Sequence, residues 1–140
     1  MQNISEITTR IRYAEVDRMG FVYYANYLVF LEMGRTEWLR SKGLTYLQME
    51  EQGIFLPVLD LSATYRKSAK YDDLIRILTD VSEFTHRKIR FQYRIFRSDE
   101  LLMEASTLHL FMNASGRAVV LPDKMIRLFN PADEKKRIVQ

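Results

Sequence analysis

An α+β fold, in which one antiparallel sheet carries one long apolar helix, is what the order and lengths of the patterned segments predict. Three observations lead there. A single strand-like run comes first. A helix-like stretch from Tyr23 to Lys42 follows, apolar on nearly every side over its first half. From Leu59 onward the chain alternates apolar and polar residues through consecutive runs joined by tight turns. A helix of about 19 residues is roughly 28 Å long and a strand of about ten roughly 33 Å, so the helix matches the sheet in length and can pack along its concave face.

In the first run Ile7, Thr9, Ile11 and Tyr13 alternate with Thr8, Arg10 and Arg12, the period-2 pattern of a strand with one buried face. Asp17 lies just past its end, and Gly20 supplies the backbone freedom for a sharp turn. The helix then runs to Gly43, a C-terminal stop with Arg40 and Lys42 in the last turn. Only Asn26 and Glu32 interrupt the apolar character between Val22 and Gly34, so this half should be covered by the sheet, by a second subunit, or by both. Leu44 to Gln52 reads as a second short helix ending at Gly53. Leu59, Leu61, Ala63 and Tyr65 mark the next strand; Ile75 to Val81 and Ile89 to Ile95 mark two more; a fourth spans about Leu102 to Met112, with a hairpin at Asn113-Ala114-Ser115-Gly116 into Ala118 to Leu121. Pro122-Asp123 opens a short terminal helix, and residues 131–140 read as a frayed tail, so the whole of 1–140 forms one domain.

The bulk properties narrow the function classes. A formal charge of +3, from 21 Lys and Arg against 18 Asp and Glu, helps a phosphorylated ligand but is too small to indicate nucleic-acid binding. With no cysteine there is no disulfide, thiolate metal site or Cys nucleophile, in keeping with a cytoplasmic protein. No signal-peptide pattern or membrane-length apolar run is present.

Asp17 is the candidate for chemistry. An Asp before a glycine turn is commonly a turn residue, but this one precedes a nearly uncharged helix start. A carboxylate there would sit at a partly desolvated wall facing unpaired backbone N–H groups, suited to acid/base or nucleophilic work on a group that develops negative charge. Tyr24 falls in the first helical turn beside it, and Phe21, Tyr23, Tyr24, Tyr27 and Trp38 can line an acyl or aryl pocket or simply form core. Basic residues gather at Arg66, Lys67 and Lys70 and again from His86 to Arg90, as solvated strand ends or a diffuse phosphate-binding patch. His86 and His109 lack metal-ligand spacing, and His109, inside an apolar strand, reads as a hydrogen-bonded structural histidine. There is no phosphate-binding glycine loop and no serine elbow.

The run Tyr13-Ala-Glu-Val-Asp17-Arg-Met-Gly20-Phe-Val22-Tyr23-Tyr24-Ala-Asn26-Tyr27, followed by Phe30-Leu31-Glu32, resembles the signature of hot-dog-fold acyl-CoA thioesterases of the 4-hydroxybenzoyl-CoA thioesterase type. Tyr65 to Asp73, and Gly116 with Leu121-Pro122, support it. The resemblance implies a five- or six-stranded antiparallel sheet wrapped around the long helix, assembled as homodimers or homotetramers with active sites at subunit interfaces. It implies Asp17 as general base or nucleophile, Gly20 shaping the loop, and the N–H at Tyr24 polarising the thioester carbonyl. Val22, Tyr23, Asn26 and Tyr27 become candidate substrate-binding positions, and Arg87 and Lys88, with Arg66, candidates for the phosphates of coenzyme A. Coenzyme A is then part of an acyl-CoA substrate, no separate cofactor or metal is needed, and an acyl-carrier protein is an alternative donor. Where many such hydrolases carry a histidine this chain has Tyr24, so a mechanism needing an imidazole there does not transfer.

Three rivals accompany this reading. A non-catalytic acyl-CoA or acyl-carrier-protein binding module of the same fold would bind without releasing thiol. A hot-dog dehydratase would need a histidine at the site, and none occurs before position 86. RNA binding would use Arg90, Gln92 and Arg94 beside Phe91 and Tyr93 on one strand.

Overall fold

The first alternating run forms strand β1, Ser5–Arg10, in the computed structural model, which describes residues 4–129. After a 3-10 turn at Tyr13–Glu15 and the Asp17 loop, a second 3-10 turn at Tyr24–Asn26 leads into helix α1, Tyr27–Ser41. Helix α2 spans Tyr46–Glu51, and strands β2 (Val58–Tyr65), β3 (Leu74–Phe84), β4 (Lys88–Arg97) and β5 (Glu100–Leu110) follow before helix α3, Asp123–Phe129. The five strands form one antiparallel sheet in the order β1-β3-β4-β5-β2. The central three are joined by tight turns, while β1 and β2 are laid on as the two edges.

Helix α1 lies on the apolar face of this sheet, the hot-dog arrangement. Its buried residues Phe30, Leu31, Trp38 and Leu39 meet Ile75 and Ile77 of β3 and Ile89, Phe91 and Ile95 of β4 in a single core. Trp38 packs edge-on against Phe91, at 5.5 Å between ring centroids, and against Phe129 at 5.6 Å, which ties α3 to the same core. Gly34 lets the helix come down on β3: a Cβ there would fall on Thr79 Oγ1 and lie 3.0 Å from Ile77 Cγ2. Tyr93, Thr107 and His109 are also buried, as a polar chain under the helix.

Several expectations change in detail. The helical region starts with the tighter 3-10 turn at Tyr24, and the α-helix itself ends at Ser41; Gly43 takes the left-handed conformation (φ +86°) expected of a stop. The second helix is shorter than Leu44 to Gln52 because Thr45 caps it: its side-chain oxygen accepts from Gln48 N–H at 3.1 Å, and the Gln48 side chain answers to Thr45 N–H at 2.9 Å. Tyr13 does not continue the inward row of β1; the strand ends at Arg10 and Tyr13 is exposed. The segment after Asn113 forms a hairpin held by a Met112–Ala118 bridge rather than a full strand. The helix is not buried all round in the single chain, for Leu28, Val29 and Glu32 stay open. Nor has β2 an inside row, since every residue but Ala63 is exposed. These two open surfaces adjoin, forming a groove of about 360 Å³ lined by Leu28, Val29, Arg35, Val58 and Leu61. The RNA reading loses its aromatics, because Phe91 and Tyr93 face the core and are buried. No helix among the described residues is long and apolar enough to cross a membrane. The tail expected over 131–140 lies outside the described residues.

Candidate active site

The Asp17 loop is a tight backbone hairpin. Asp17 N–H donates to Phe21 O at 2.8 Å, Gly20 N–H donates to Asp17 O at 3.0 Å, and Val16 bridges Val22. Gly20 sits at φ +84°, a conformation glycine adopts without the steric cost other residues incur. The hairpin is bonded along its second arm to the segment before β3: Val22 N–H donates to Ala69 O at 2.9 Å and Tyr71 N–H to Gly20 O at 3.0 Å. Asp17 is therefore held by main chain on both sides.

Its carboxylate is divided between two tasks. Oδ1 accepts from Met19 N–H at 2.8 Å and Phe21 N–H at 3.2 Å, fixing the side-chain rotamer. Oδ2 has no partner among the described residues, and Asp17 lines an open pocket with Tyr13, Val16 and Arg18. The partly desolvated wall expected from sequence is absent in the single chain, where Asp17 is exposed.

The helix start supplies the second half. Tyr24 opens the 3-10 turn, so its N–H has no carbonyl one turn back and finds no backbone acceptor among the described residues. Asn26, at the junction with α1, does not cap the helix with its side chain. The Tyr24 carbonyl is engaged, accepting from the Tyr65 hydroxyl at 3.0 Å. Burial raises the Tyr65 phenol above its ordinary range, which keeps it a donor near neutral pH.

The other candidate positions separate into open and buried. Tyr23 and Tyr24 are exposed, at 50% and 64%, with their ring centroids 4.9 Å apart and the planes tilted by 45°, and can face a ligand. Val22 and Tyr27 belong to the core instead. The Tyr27 hydroxyl accepts from Ala69 N–H at 2.9 Å and its ring meets Phe30 and Tyr65 edge-on, so it clamps the 66–70 segment to the helix. Asn26 Nδ2 donates to Glu15 O at 2.9 Å, turning the amide toward the loop. Arg66 is paired with Glu104 at 2.6 Å and Lys88 with Glu83 at 2.8 Å, while Arg87 is exposed. Arg87 in the turn after β3 and Lys88 at the start of β4 stand at the end of β3 opposite the Asp17 loop; eleven strand residues put them roughly 33 Å away. One chain does not bring them to Asp17.

Two residues of this corner escaped the sequence reading. Glu15 is buried, accepts from Arg12 N–H at 2.7 Å, and gives its carbonyl to both Tyr23 N–H and Asn26. No residue of capping type precedes it by three, Arg12 having no side-chain acceptor, so its bond to Arg12 N–H had no signature in the sequence. Tyr65, read as a strand residue, reaches the helix start only through tertiary structure, which no local pattern reveals.

His109 fulfils its structural reading. Nδ1 lies 3.0 Å from Leu56 O, an acceptor only, so that nitrogen carries the proton; Nε2 then accepts from the Thr107 hydroxyl at 2.8 Å. Thr107 in turn accepts from Tyr93 at 2.6 Å, and Tyr93 from Arg35. Burial depresses the histidine to about 4, leaving it neutral at physiological pH and away from any solvent-open chemistry.

Comparison with known proteins agrees with this arrangement. Residues 11–129 match the thioesterase-like superfamily. An acyl-CoA thioesterase of Haemophilus influenzae, YbgC, is 36% identical over 107 residues, 76% of this chain and 79% of that one. Among solved structures, a DHNA-CoA thioesterase from Staphylococcus aureus superposes with a TM-score of 0.88 at 27% identity, covering 98% of this chain and 95% of its own. The 4-hydroxybenzoyl-CoA thioesterase of a Pseudomonas species does so with a TM-score of 0.81 at 26% identity, covering 90% and 99%. With the family matched from the end of β1 to the end of α3, over the Asp17 hairpin and the sheet-wrapped helix alike, this chain belongs to the thioesterase-like superfamily.

Proposed function

We propose that the protein hydrolyses the thioester of an acyl- or aryl-CoA to the free acid and coenzyme A. The observation that carries the mechanism is the pairing of an unengaged carboxylate oxygen on Asp17 with an unengaged N–H at Tyr24, on two segments bonded to each other. The thioester carbonyl oxygen lies against the helix-start N–H, where the partial positive charge of the helix end favours the oxyanion; such a donor is typically worth about 3 kcal/mol in the transition state. As general base, Asp17 takes a proton from water as the hydroxide equivalent adds to the carbonyl carbon. The tetrahedral intermediate collapses with cleavage of C–S, and the leaving thiolate recovers that proton. As nucleophile, Asp17 instead forms an acyl anhydride, which water opens. Both routes end in the same products with Asp17 regenerated, and neither requires a metal or a separate cofactor.

The finer assignments form one picture. A second copy covers the open stripe of α1 and the apolar edge β2, giving a homodimer or a homotetramer built from it. Such an assembly desolvates the Asp17 pocket and offers Arg87 and Lys88 a route to the nucleotide phosphates that a single chain denies them. Tyr23 and Tyr24 line the entrance, an acyl-carrier protein is an alternative donor of the same thioester, and the protein works in the cytoplasm.

Thiol release from a panel of acyl- and aryl-CoA esters tests the reaction. Turnover by the wild type with a loss of about 100-fold or more in Asp17→Asn is expected. Tight binding of the esters with no thiol released would identify a binding module instead. Sedimentation of the wild type at micromolar concentration should give a dimer or tetramer, and Leu61→Lys on the β2 edge should drive it toward monomer.

A further inference from the structure

An asparagine at the start of a helix ordinarily turns its side-chain oxygen onto the helix's own unpaired N–H groups. Asn26 does not: its amide nitrogen donates across to Glu15 O at 2.9 Å, and no cap bond forms. The same carbonyl accepts Tyr23 N–H at 3.0 Å, so a single oxygen two residues before Asp17 joins the loop to both sides of Tyr24. From the sheet side, the Tyr65 hydroxyl holds the Tyr24 carbonyl at 3.0 Å. The Tyr24 N–H, at the start of the 3-10 turn, lies two residues before Asn26, and the two contacts together fix the turn that presents it.

We infer that Asn26 and Tyr65 are positioning residues that set the Tyr24 N–H relative to the Asp17 carboxylate, without contacting the substrate themselves. This rests on the thioesterase reading above and goes beyond it, because it moves Asn26 out of the substrate-binding set and adds a residue from β2. Glu15, buried and bonded to Arg12 N–H through its carboxylate, anchors the Asn26 contact, while strand β2 anchors that of Tyr65. The chemistry needs the loop and the helix start held as one body: displacement of a reacting group by about 1 Å can cost two orders of magnitude in rate. The turn is three residues long with Tyr24 exposed at its start, and these side-chain bonds are what supplement its few backbone ties.

The test is a pair of double-mutant cycles on the full chain, measured by thiol release and by binding of a non-hydrolysable thioether analogue of the substrate. Asn26→Ala is expected to lower kcat about 10- to 100-fold, and Tyr65→Phe about 3- to 10-fold. KM and analogue binding should stay within about 3-fold for both. In an Asp17→Asn background each loss should shrink to less than about 2-fold, because there is no longer a carboxylate to align. The inference is overturned if either substitution raises KM and weakens the analogue while kcat holds, which would make it a binding residue. It is equally overturned if the losses are the same in both backgrounds, which would make the effect one of folding alone. Should Asn26→Ala not fold, Tyr65→Phe, which removes one hydroxyl from an exposed ring, decides the question. An Asp17→Asn enzyme with near-wild-type turnover is a different result, and it would refute the catalytic reading rather than the positioning.

Discussion

Two polar clusters lie along α1, and they are built on opposite principles. At the helix start, the Asp17 corner is exposed, held chiefly by main-chain bonds, and leaves a carboxylate oxygen and the Tyr24 N–H without a partner among the described residues. In the middle of the helix, the chain from Arg35 is bonded through: Arg35 donates to Tyr93, Tyr93 to Thr107, Thr107 to His109, and His109 to Leu56 O. Unsatisfied groups are costly when buried and serviceable when a ligand can reach them. The open cluster is where binding and chemistry belong, and the bonded one is where the core acquires its specificity.

The largest test of that contrast is a pH titration of stability. His109 titrates near 6.5 unfolded and about 4 folded, so between these values the unfolded chain binds more protons and stability falls as pH is lowered. A protonated Nε2 would also oppose the Thr107 donor, with no way to reverse the chain, because Arg35 can only donate. The expected loss approaches about 3 kcal/mol at pH 4, read by denaturant unfolding, and should vanish in a folded His109→Gln variant. If wild type and variant lose stability in parallel through that window, the chain is not bonded as described.

The open cluster should respond in rate instead. Asp17→Asn is expected to cost about 100-fold in kcat/KM, equivalent to roughly 2.7 kcal/mol of barrier, with Tm shifted by no more than a few degrees. A large drop in Tm would make Asp17 part of the scaffold. Gly34→Ala brings the contrast to the buried flank. The added methyl meets Thr79 Oγ1 and Ile77, so a loss of about 1 to 3 kcal/mol in stability is expected, with the rate per folded molecule retained. The smallest effect should come from Thr79→Val. Thr79 Oγ1 is buried with no hydrogen-bond partner among the described residues, and replacing it by a methyl of similar shape should be neutral or stabilising by up to about 1 kcal/mol. A clear destabilisation would reveal a partner for that hydroxyl.

The sheet, the long helix and the Asp17 loop were legible because each has a strong local cause: period-2 alternation from Ile75 to Ile95, a Gly43 stop, and a Gly20 turn. Legibility failed where pairing decides. The residues of β2 alternate like those of a half-buried strand, yet β2 is an edge whose apolar side chains have no layer over them in one chain. Val22 and Tyr27 share a motif with Tyr23 and Tyr24, but the bridge at Val22 and the helix beginning at Tyr27 bury the former pair, while the turn between them leaves the latter pair out. Asn26 was read by its place in the motif, whereas its role depends on a carbonyl eleven residues earlier. Arg87 and Lys88 are near the loop in no sense that sequence spacing can express; the direction of β3 carries them away.

The way the Asp17 hairpin is bonded has a consequence for anyone who would engineer this enzyme. Its cross-links to the 69–71 segment run from main chain to main chain, and its turn draws besides on the Asp17 carboxylate and on Gly20 at φ +84°. Arg18 and Met19 project from it into solvent without structural duty. A library randomised at those two positions should therefore keep folded, active members in high proportion while varying the rim of the pocket, making them the natural place to begin altering substrate preference.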